Sequence, residues 1–323
     1  MRPEIRMDPR LERRIAEKRA ALDLQRPLPT AILSKLADDL RVRLTYHSNA
    51  MEGNTLDLGE TQLVIAYGVT IGGHSLKEHQ EAVNHAVAYD FVLDLAQRDA
   101  GLDEAALLQV HALIMHDLIE APGAYRSGAV FISGSEHRPP HQTQVPSLIA
   151  DWFAWCDDAG QEYPPVIRAA LAHEMLLAIH PFLDGNGRTA RLVLNLQLLR
   201  AGYPVALLLQ GWRLSYIRAL EQAHHGHYGP LVNVIGRAVE AGLDLYLEAC
   251  GALPDEVRRP LRAVAAECTI DADYLGWLLR AGRVAGAKRG GRWYVSVAAV
   301  RRYQEEVASG AIPTGRPRTD RGA

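Results

Sequence analysis

His180-Pro181-Phe182-Leu183-Asp184-Gly185-Asn186-Gly187-Arg188-Thr189-Ala190-Arg191 places an imidazole, a carboxylate, a glycine-flanked amide and two guanidinium groups in one short stretch. Each type answers a demand of phosphate chemistry. An imidazole titrates near neutrality and can accept a proton. A carboxylate suits Mg²⁺, glycines let backbone N–H groups close on an anion, and guanidinium forks bind the remaining oxygens. The flanking residues predict helices. Residues 166–179 are apolar around most of the helical circumference, through Ala169, Ala170, Leu171, Ala172, Met175, Leu176, Leu177 and Ala178, which predicts a buried helix. Residues 189–200 carry Leu192, Val193, Leu194, Leu196, Leu198 and Leu199, then meet Gly202 and Pro204, a common helix exit.

A glycine-rich loop between two buried helices aims its N–H groups at whatever lies over the second helix's N-terminus, where the dipole contributes about +0.5 charge. A pyrophosphate fits that setting. Arg188 and Arg191, three apart, share one side of the first turn and can hold successive phosphates. Gly185-Asn186-Gly187 alone is ordinary turn sequence. The imidazole, the carboxylate and the paired arginines at fixed positions around it make the stretch a candidate site.

These residues resemble the signature of the Fic family, His-Pro-Phe-x-Asp/Glu-Gly-Asn-Gly-Arg-x-x-Arg, with every specified position present. Gly123-Ala124-Tyr125-Arg126, followed by Val130-Phe131-Ile132 and Pro139-Pro140, is similar to the family's flap hairpin, which lays a target's backbone beside the active site. The likeness extends through Glu52-Gly53-Asn54-Thr55 and Thr70-Ile71-Gly72-Gly73, covering about residues 10–235.

The resemblance implies transfer of AMP from ATP to a Ser, Thr or Tyr hydroxyl of a target protein or of the chain itself, with Mg²⁺. It implies that His180 is the general base and that Asp184 holds the metal. Gly185, Asn186 and Gly187 would bind the phosphate chain and the charge developing at the α-phosphate; Arg188 and Arg191 would take the β- and γ-phosphates. Val130, Phe131 and Ile132 would dock the target. Ser48-Asn49-Ala50-Met51-Glu52-Gly53 resembles the inhibitory pattern Ser/Thr-x-x-x-Glu-Gly/Asn, in which the glutamate pairs with the second signature arginine. Mapped here, Ser48, Glu52 and Gly53 form the brake, and Glu52 engages Arg191. A guanidinium held by a carboxylate cannot also hold a phosphate. The same glutamate can position water to remove AMP, so AMP removal is an alternative activity, as is another nucleotide donor. Agreement with the Gly-Asn-Gly signature favours AMP transfer over the phosphorylating and phosphocholinating variants.

Composition is that of a globular chain: 323 residues, 48% hydrophobic, 23% charged and net charge −3, a length that suits two or three domains. With no run of about 18 apolar residues and no apolar segment behind a basic start, a membrane partner is not expected and a cytoplasmic location is. The separated Cys156, Cys250 and Cys268 read as reduced and structural. His224-His225-Gly226-His227 lacks a spaced Cys or carboxylate to complete a metal site, and a solvated turn is expected there. His173-Glu174 begins like a zinc-protease helix, but Leu177 stands where the second histidine is required. Residues 11–21 predict a charged, solvated helix and residues 86–95 an amphipathic one.

Beyond Leu253 the charge changes sign. Residues 254–323 hold 13 Lys and Arg against 8 Asp and Glu, leaving −8 for the first 253, an asymmetry that points to an acidic partner. Helices are predicted over residues 261–266 and 272–280, a basic turn at Lys288-Arg289-Gly290-Gly291-Arg292, a strand at Trp293-Tyr294-Val295 and a helix over residues 297–305. This order resembles excisionase-type winged helices, which implies DNA contact through phosphates or a protein docking role.

The expected architecture is mainly α: a Fic-type helical core with a short β-hairpin flap and a C-terminal winged helix-turn-helix domain. The expected divisions are an N-terminal helical region with the inhibitory motif over 1–105, the Fic core over 106–235, a connecting helix over 236–253, a winged helix over 254–308 and a disordered tail over 309–323. A homodimer is carried as the default oligomer. A nucleotide-sensing DNA-binding regulator is the rival from another class; an intact His180 argues against it, since a sensor needs no base.

Overall fold

Several helix starts in this chain are written by Asp and Ser. In the computed structural model, which describes residues 5–98, 102–251, 259–289, 291–310 and 312, Asp8 Oδ1 accepts from the N–H groups of Arg10 and Leu11 and opens α1 (Pro9–Asp23). After α2 (Thr30–Met51), reciprocal boxes of Asp57 with Glu60 and Ser75 with Glu78 open α3 (Leu58–Tyr67) and α4 (Leu76–Gln97). Such caps satisfy first-turn donors that have no intrahelical acceptor. Asp103 caps α5 (Glu104–Ile114); α6 (Val145–Asp157), α7 (Pro165–Ile179) and α8 (Asn186–Arg200) follow, then α9 (Arg213–His224) and α10 (Gly229–Ala249).

Two compact units emerge: Met1–Leu208 with Tyr216–Ala252, and Leu209–Ser215 with Leu253–Ala323. In the first, α7 and α8 lie against each other and bury Leu176, Phe182, Ala190 and Val193 with Trp152 of α6. Trp152 Nε1 donates to Ala172 O at 2.9 Å, so its one polar atom is satisfied inside the core. Burial of each large side chain is worth about 1.5–3 kcal/mol. The charged face expected of residues 11–21 is half inward: Leu11, Ile15 and Leu22 are buried, and Arg14 and Lys18 pair with Glu240 of α10, whose side chain is 1% exposed.

Where helices run longer than expected, polar residues inside the fold explain it. α4 starts ten residues before the amphipathic stretch expected at 86–95 because His79, Glu81, Asn84 and His85 are buried, which breaks the apolar period. α8 starts at Asn186 because Gly185, with φ 77°, takes the left-handed conformation before it. α10 runs unbroken through positions 235 and 236, so the division expected there falls inside one helix.

The flap is corrected. Among the described residues, Val130, Phe131 and Ile132 belong to no strand, and residues 128–141 form a loop turned at Gly134 (φ 76°), where Ser135 N donates to Ile132 O at 3.2 Å. An isolated hairpin is marginal by itself, and Pro139 and Pro140 have no N–H for a ladder.

The second unit contains a short antiparallel sheet and helices. β1 (Arg259–Pro260), β2 (Gly286–Arg289) and β3 (Arg292–Val295) pair in the order β1-β3-β2, with Gly286 opposite Val295 and Lys288 opposite Trp293. α11 (Leu261–Glu267), α12 (Ala272–Arg280) and α13 (Val297–Ala308) accompany it; Leu275, Leu278, Val295 and Val300 are fully buried. Gly290 of the basic turn lies outside the described residues. Of the tail expected to be disordered, Ser309, Gly310 and Ile312 are described; Ile312 is buried and its N–H donates to Glu306 O at 3.2 Å. The rest of that tail lies outside the described residues.

Candidate active site

His180 closes α7 in the left-handed region, at φ 50° and ψ 59°, a conformation that costs a non-glycine residue about 1–3 kcal/mol and persists only where neighbours impose it. Arg126 supplies the constraint. Its N–H donates to Pro181 O at 2.9 Å and its Nε to His180 O at 2.8 Å, while its terminal nitrogens donate to Gly128 O at 3.1 Å and Pro140 O at 2.5 Å. One buried guanidinium thus ties both ends of the 128–140 loop to the residue expected to be the base.

His180 Nδ1 lies 3.3 Å from Leu177 O. A carbonyl can only accept, so Nδ1 carries the proton and Nε2 keeps the lone pair that a base needs. Burial holds the imidazole's pKa below its ordinary value, with the Arg126 charge adding to it.

The loop that follows is rigid for identifiable reasons. His111 stacks on Phe182 at 3.7 Å between ring centres, accepts from Gly123 N at Nδ1 (2.9 Å) and so donates from Nε2 to Asp184 O (3.0 Å). Burial lowers its pKa to about 4, so it is neutral and rigid. The Asn186 side chain is engaged within the loop itself. Its Oδ1 accepts from Phe182 N at 3.0 Å and its Nδ2 donates to Phe182 O at 2.9 Å, so the amide closes the loop and is committed there. Asp184 accepts from Gly185 N at 2.6 Å and leaves its carboxylate 53% exposed. Among the described residues no group of three His, Cys, Asp or Glu converges on a metal position. A single exposed carboxylate fits Mg²⁺, which binds through one or two carboxylates, phosphate oxygens and water.

The two arginines are buried on α8 and face acidic partners. Arg191 donates from Nε to Ser48 Oγ (3.0 Å) and from one terminal nitrogen to Ser48 O (2.9 Å) and Glu52 Oε1 (2.7 Å). Ser48 and Glu52 are four apart, so they project from one face of α2's last turn. Gly53, at φ 100°, then lets the chain leave the helix. Desolvation opposes a charge on Glu52, but the Arg191 guanidinium, with Arg188 behind it, holds the carboxyl below the ordinary range. Glu52 Oε1 sits over the first turn of α8: a β-carbon at Gly187 would lie 2.3 Å from it. The carboxylate therefore occupies the helix N-terminus where an anion is favoured.

Arg188 stands 3.1 Å from Glu81 Oε1 and 3.8 Å from Asp184 Oδ1. Its Nε is buried with no aligned acceptor among the described residues, so the fork keeps a donor beyond the nitrogen that faces Glu81. Glu81 Oε2 in turn accepts from Asn54 Nδ2 at 3.0 Å, two residues beyond Glu52.

His180, Asp184, Gly185, Gly187, Arg188, Arg191, Ser48 and Glu52 thus converge on the start of α8. Val130, Phe131 and Ile132 lie on the loop held by Arg126, with Phe131 75% exposed and Arg138 5.5 Å from its ring. The same loop is anchored by Ser135 on Glu221 and by His137 stacked on His224 at 4.2 Å. His224 is no solvated turn residue. Its ring is 5% exposed and 2.9 Å from Glu174 Oε1, an acceptor on α7 that no local spacing discloses; His225 and His227 are exposed. Sequence reasoning missed His111, Arg126 and Glu81 as parts of the site. Only Arg126 left a trace, as the last residue of Gly123-Ala124-Tyr125-Arg126.

Comparison with known proteins places this geometry. Residues 101–198 match the model of the Fic/DOC family. The chain is 33% identical over 252 residues, 76% of its length, to the protein adenylyltransferase Fic of Drosophila willistoni. It spans about half the length of the curated relatives it matches. A Fic-domain-containing signalling protein from Bacteroides thetaiotaomicron superposes with a TM-score of 0.69 at 27% identity, over 74% of this chain and 98% of that one. A Fic family protein from Desulfovibrio desulfuricans G20, 23% identical, shares the fold over 92% of this chain and 98% of its own, with a TM-score of 0.63. With its complete signature folded into one loop and helix start, the chain carries a Fic/DOC domain over residues 101–198.

Proposed function

We propose that this protein transfers AMP from ATP to a hydroxyl-bearing side chain of a protein, Ser, Thr or Tyr, and that Glu52 holds the activity low. The observation that carries the reading is the placing of Glu52 Oε1 on Arg191 at 2.7 Å, over Gly187 at the start of α8. A carboxylate stands where a phosphate would bind, and a base with a free Nε2 adjoins it.

The chemistry asked of the residues is limited, because phosphoryl transfer depends chiefly on positioning and charge neutralisation. His180 Nε2 accepts the proton of the incoming hydroxyl, whose oxygen attacks the α-phosphorus as pyrophosphate departs. The first-turn N–H groups of α8 face the charge that develops there. Arg188 and Arg191 bind the leaving phosphates, Arg191 only when Glu52 has withdrawn. Asp184 would hold Mg²⁺, which neutralises phosphate charge when bound. The loop at Val130, Phe131 and Ile132, anchored by Arg126, would receive the target backbone.

Labelling with α-³²P-ATP and Mg²⁺ tests this across the parent chain, Glu52→Gly, and Glu52→Gly with His180→Ala. Label should be weak in the parent, strong in Glu52→Gly and absent from the double variant, since general base catalysis contributes about 10²–10⁴ in rate. No label from Glu52→Gly that still binds ATP would remove transfer in favour of AMP hydrolysis.

The second unit supports a further assignment, a winged helix. α11 and α12, the β2–β3 ribbon with Lys288 and Arg292 at its tip, and α13 follow one another in that order. Contact with nucleic-acid phosphates through this ribbon predicts a gel shift of the full chain that weakens steeply with salt and is lost in Lys288→Glu with Arg292→Glu. Unchanged mobility of duplex DNA with the parent would leave a protein-docking role.

A further inference from the structure

Arg191 takes part in a buried relay that does not involve α2. His173 of α7 and Tyr216 of α9 are 2% and 4% exposed, and His173 Nε2 lies 2.6 Å from the Tyr216 hydroxyl. His173 Nδ1 lies 3.0 Å from Ala190 O, the residue before Arg191. The polarity of these bonds is determined. The Ala190 carbonyl only accepts, so Nδ1 carries the proton and Nε2 is an acceptor. Tyr216 must then donate its one hydrogen to His173, which leaves its oxygen lone pairs for the nearby Arg191 guanidinium, whose charge acts on the hydroxyl. Burial keeps both groups in the neutral forms this order requires, lowering His173 to about 4 and raising Tyr216 to about 12.

The side-chain hydrogen bonds of Arg191 go to Ser48 Oγ, Ser48 O and Glu52 Oε1, all on the α2 turn that carries the brake. When Glu52 withdraws, Arg191 would lose its carboxylate. A guanidinium on a long side chain needs a fixed partner if it is to meet a phosphate in one geometry.

We propose that Tyr216, oriented by His173, is a positioning residue that holds Arg191 in place for the terminal phosphates of the nucleotide once Glu52 has left. The proposal rests on the assignment of Arg191 to those phosphates. Tyr216 would act through Arg191 and not on the reacting atoms, so its loss should be felt through the outer phosphates alone.

The test is isothermal titration of the Glu52→Gly chain with ATP and with AMP, alone and combined with Tyr216→Phe, His173→Leu or His173→Gln. Tyr216→Phe and His173→Leu should weaken ATP binding about tenfold, as expected for loss of a hydrogen bond to a charged group, while AMP binding changes less than about twofold. His173→Gln places an amide oxygen where Nε2 stood and should keep ATP binding near that of Glu52→Gly. Should Tyr216→Phe fail to fold, the contrast between His173→Leu and His173→Gln decides. Equal loss for ATP and AMP, no loss for either, or a Glu52→Gly chain that does not prefer ATP to AMP would overturn the proposal. A Glu52→Gly chain that prefers ATP and responds to Tyr216→Phe, yet labels no protein, would uphold the positioning role and remove the transferase assignment.

Discussion

Glu52→Gln removes one charge from the brake with almost no change in shape, which makes it the sharpest test of competition between carboxylate and phosphate. The 2.7 Å bond to Arg191 is charge-assisted, and such bonds contribute about 1.5–3 kcal/mol against about 0.5–1.5 for a neutral pair. Glu52 is 39% exposed, so solvent screens part of that difference and about 1 kcal/mol is the expected loss. If the carboxylate and the outer phosphates compete for Arg191, this energy returns as affinity. ATP should bind about fivefold more tightly, with AMP unaffected. The same loss should lower Tm by about 2–4 °C for a unit of this size, because Arg191 retains Ser48. Isothermal titration with ATP and AMP, beside a thermal melt, measures both. A lowered Tm with unchanged ATP affinity would refute the reasoning, since the pair would then be structural and the phosphates would bind elsewhere. The carboxyl titrates below its ordinary value, so the pair is complete at neutral pH and is lost only as pH falls through that lowered value.

Other outcomes follow from the same geometry. His180 has a lowered pKa, so the acid limb of the Glu52→Gly labelling rate should lie below pH 6.5, the ordinary imidazole value, with activity lost as pH falls through it. Gly187→Ala places a β-carbon 2.3 Å from Glu52 Oε1, the mobile end of a side chain. A phosphate in the place of that oxygen would meet the same β-carbon, so Gly187→Ala should weaken ATP binding in Glu52→Gly as well as in the parent, which isothermal titration of both chains measures. Arg126→Ala leaves the His180, Gly128 and Pro140 carbonyls without their donor. It should destabilise by about 2–4 kcal/mol and depress labelling by Glu52→Gly more than ATP binding. Phe182→Ala, at a fully buried ring stacked on His111, should cost about 3–5 kcal/mol, measured by urea unfolding.

The residues of the signature loop were legible in the sequence because one turn and one helix start bring His180, Asp184, Gly187, Arg188 and Arg191 together whatever else the chain does. The same holds for Ser48 and Glu52, whose separation of four puts them on one helical face. Local patterns also disclosed α7, α8, α11, α12 and α13, since their apolar periods are intact. They disclosed only the second half of α4, because buried His79, Glu81, Asn84 and His85 interrupt the period before it, and at Val130–Ile132 the hairpin that the resemblance implied has no ladder among the described residues.

Tertiary structure alone decided which atoms are free to act. That Asn186 closes its own loop, that Arg126 holds His180 from 54 positions away in sequence, and that Glu81 meets Arg188 across 107 (Glu81 to Arg188) are matters of which helix faces pack together. No local spacing encodes them. Nor does it encode the proton order from Tyr216 through His173 to the Ala190 carbonyl, because hydrogen-bond direction depends on every neighbour of a buried group. The types and order of the chemical groups were written along the chain; their protonation, pairing and availability were set by the fold, because burial makes each polar atom depend on the single partner that packing brings within reach.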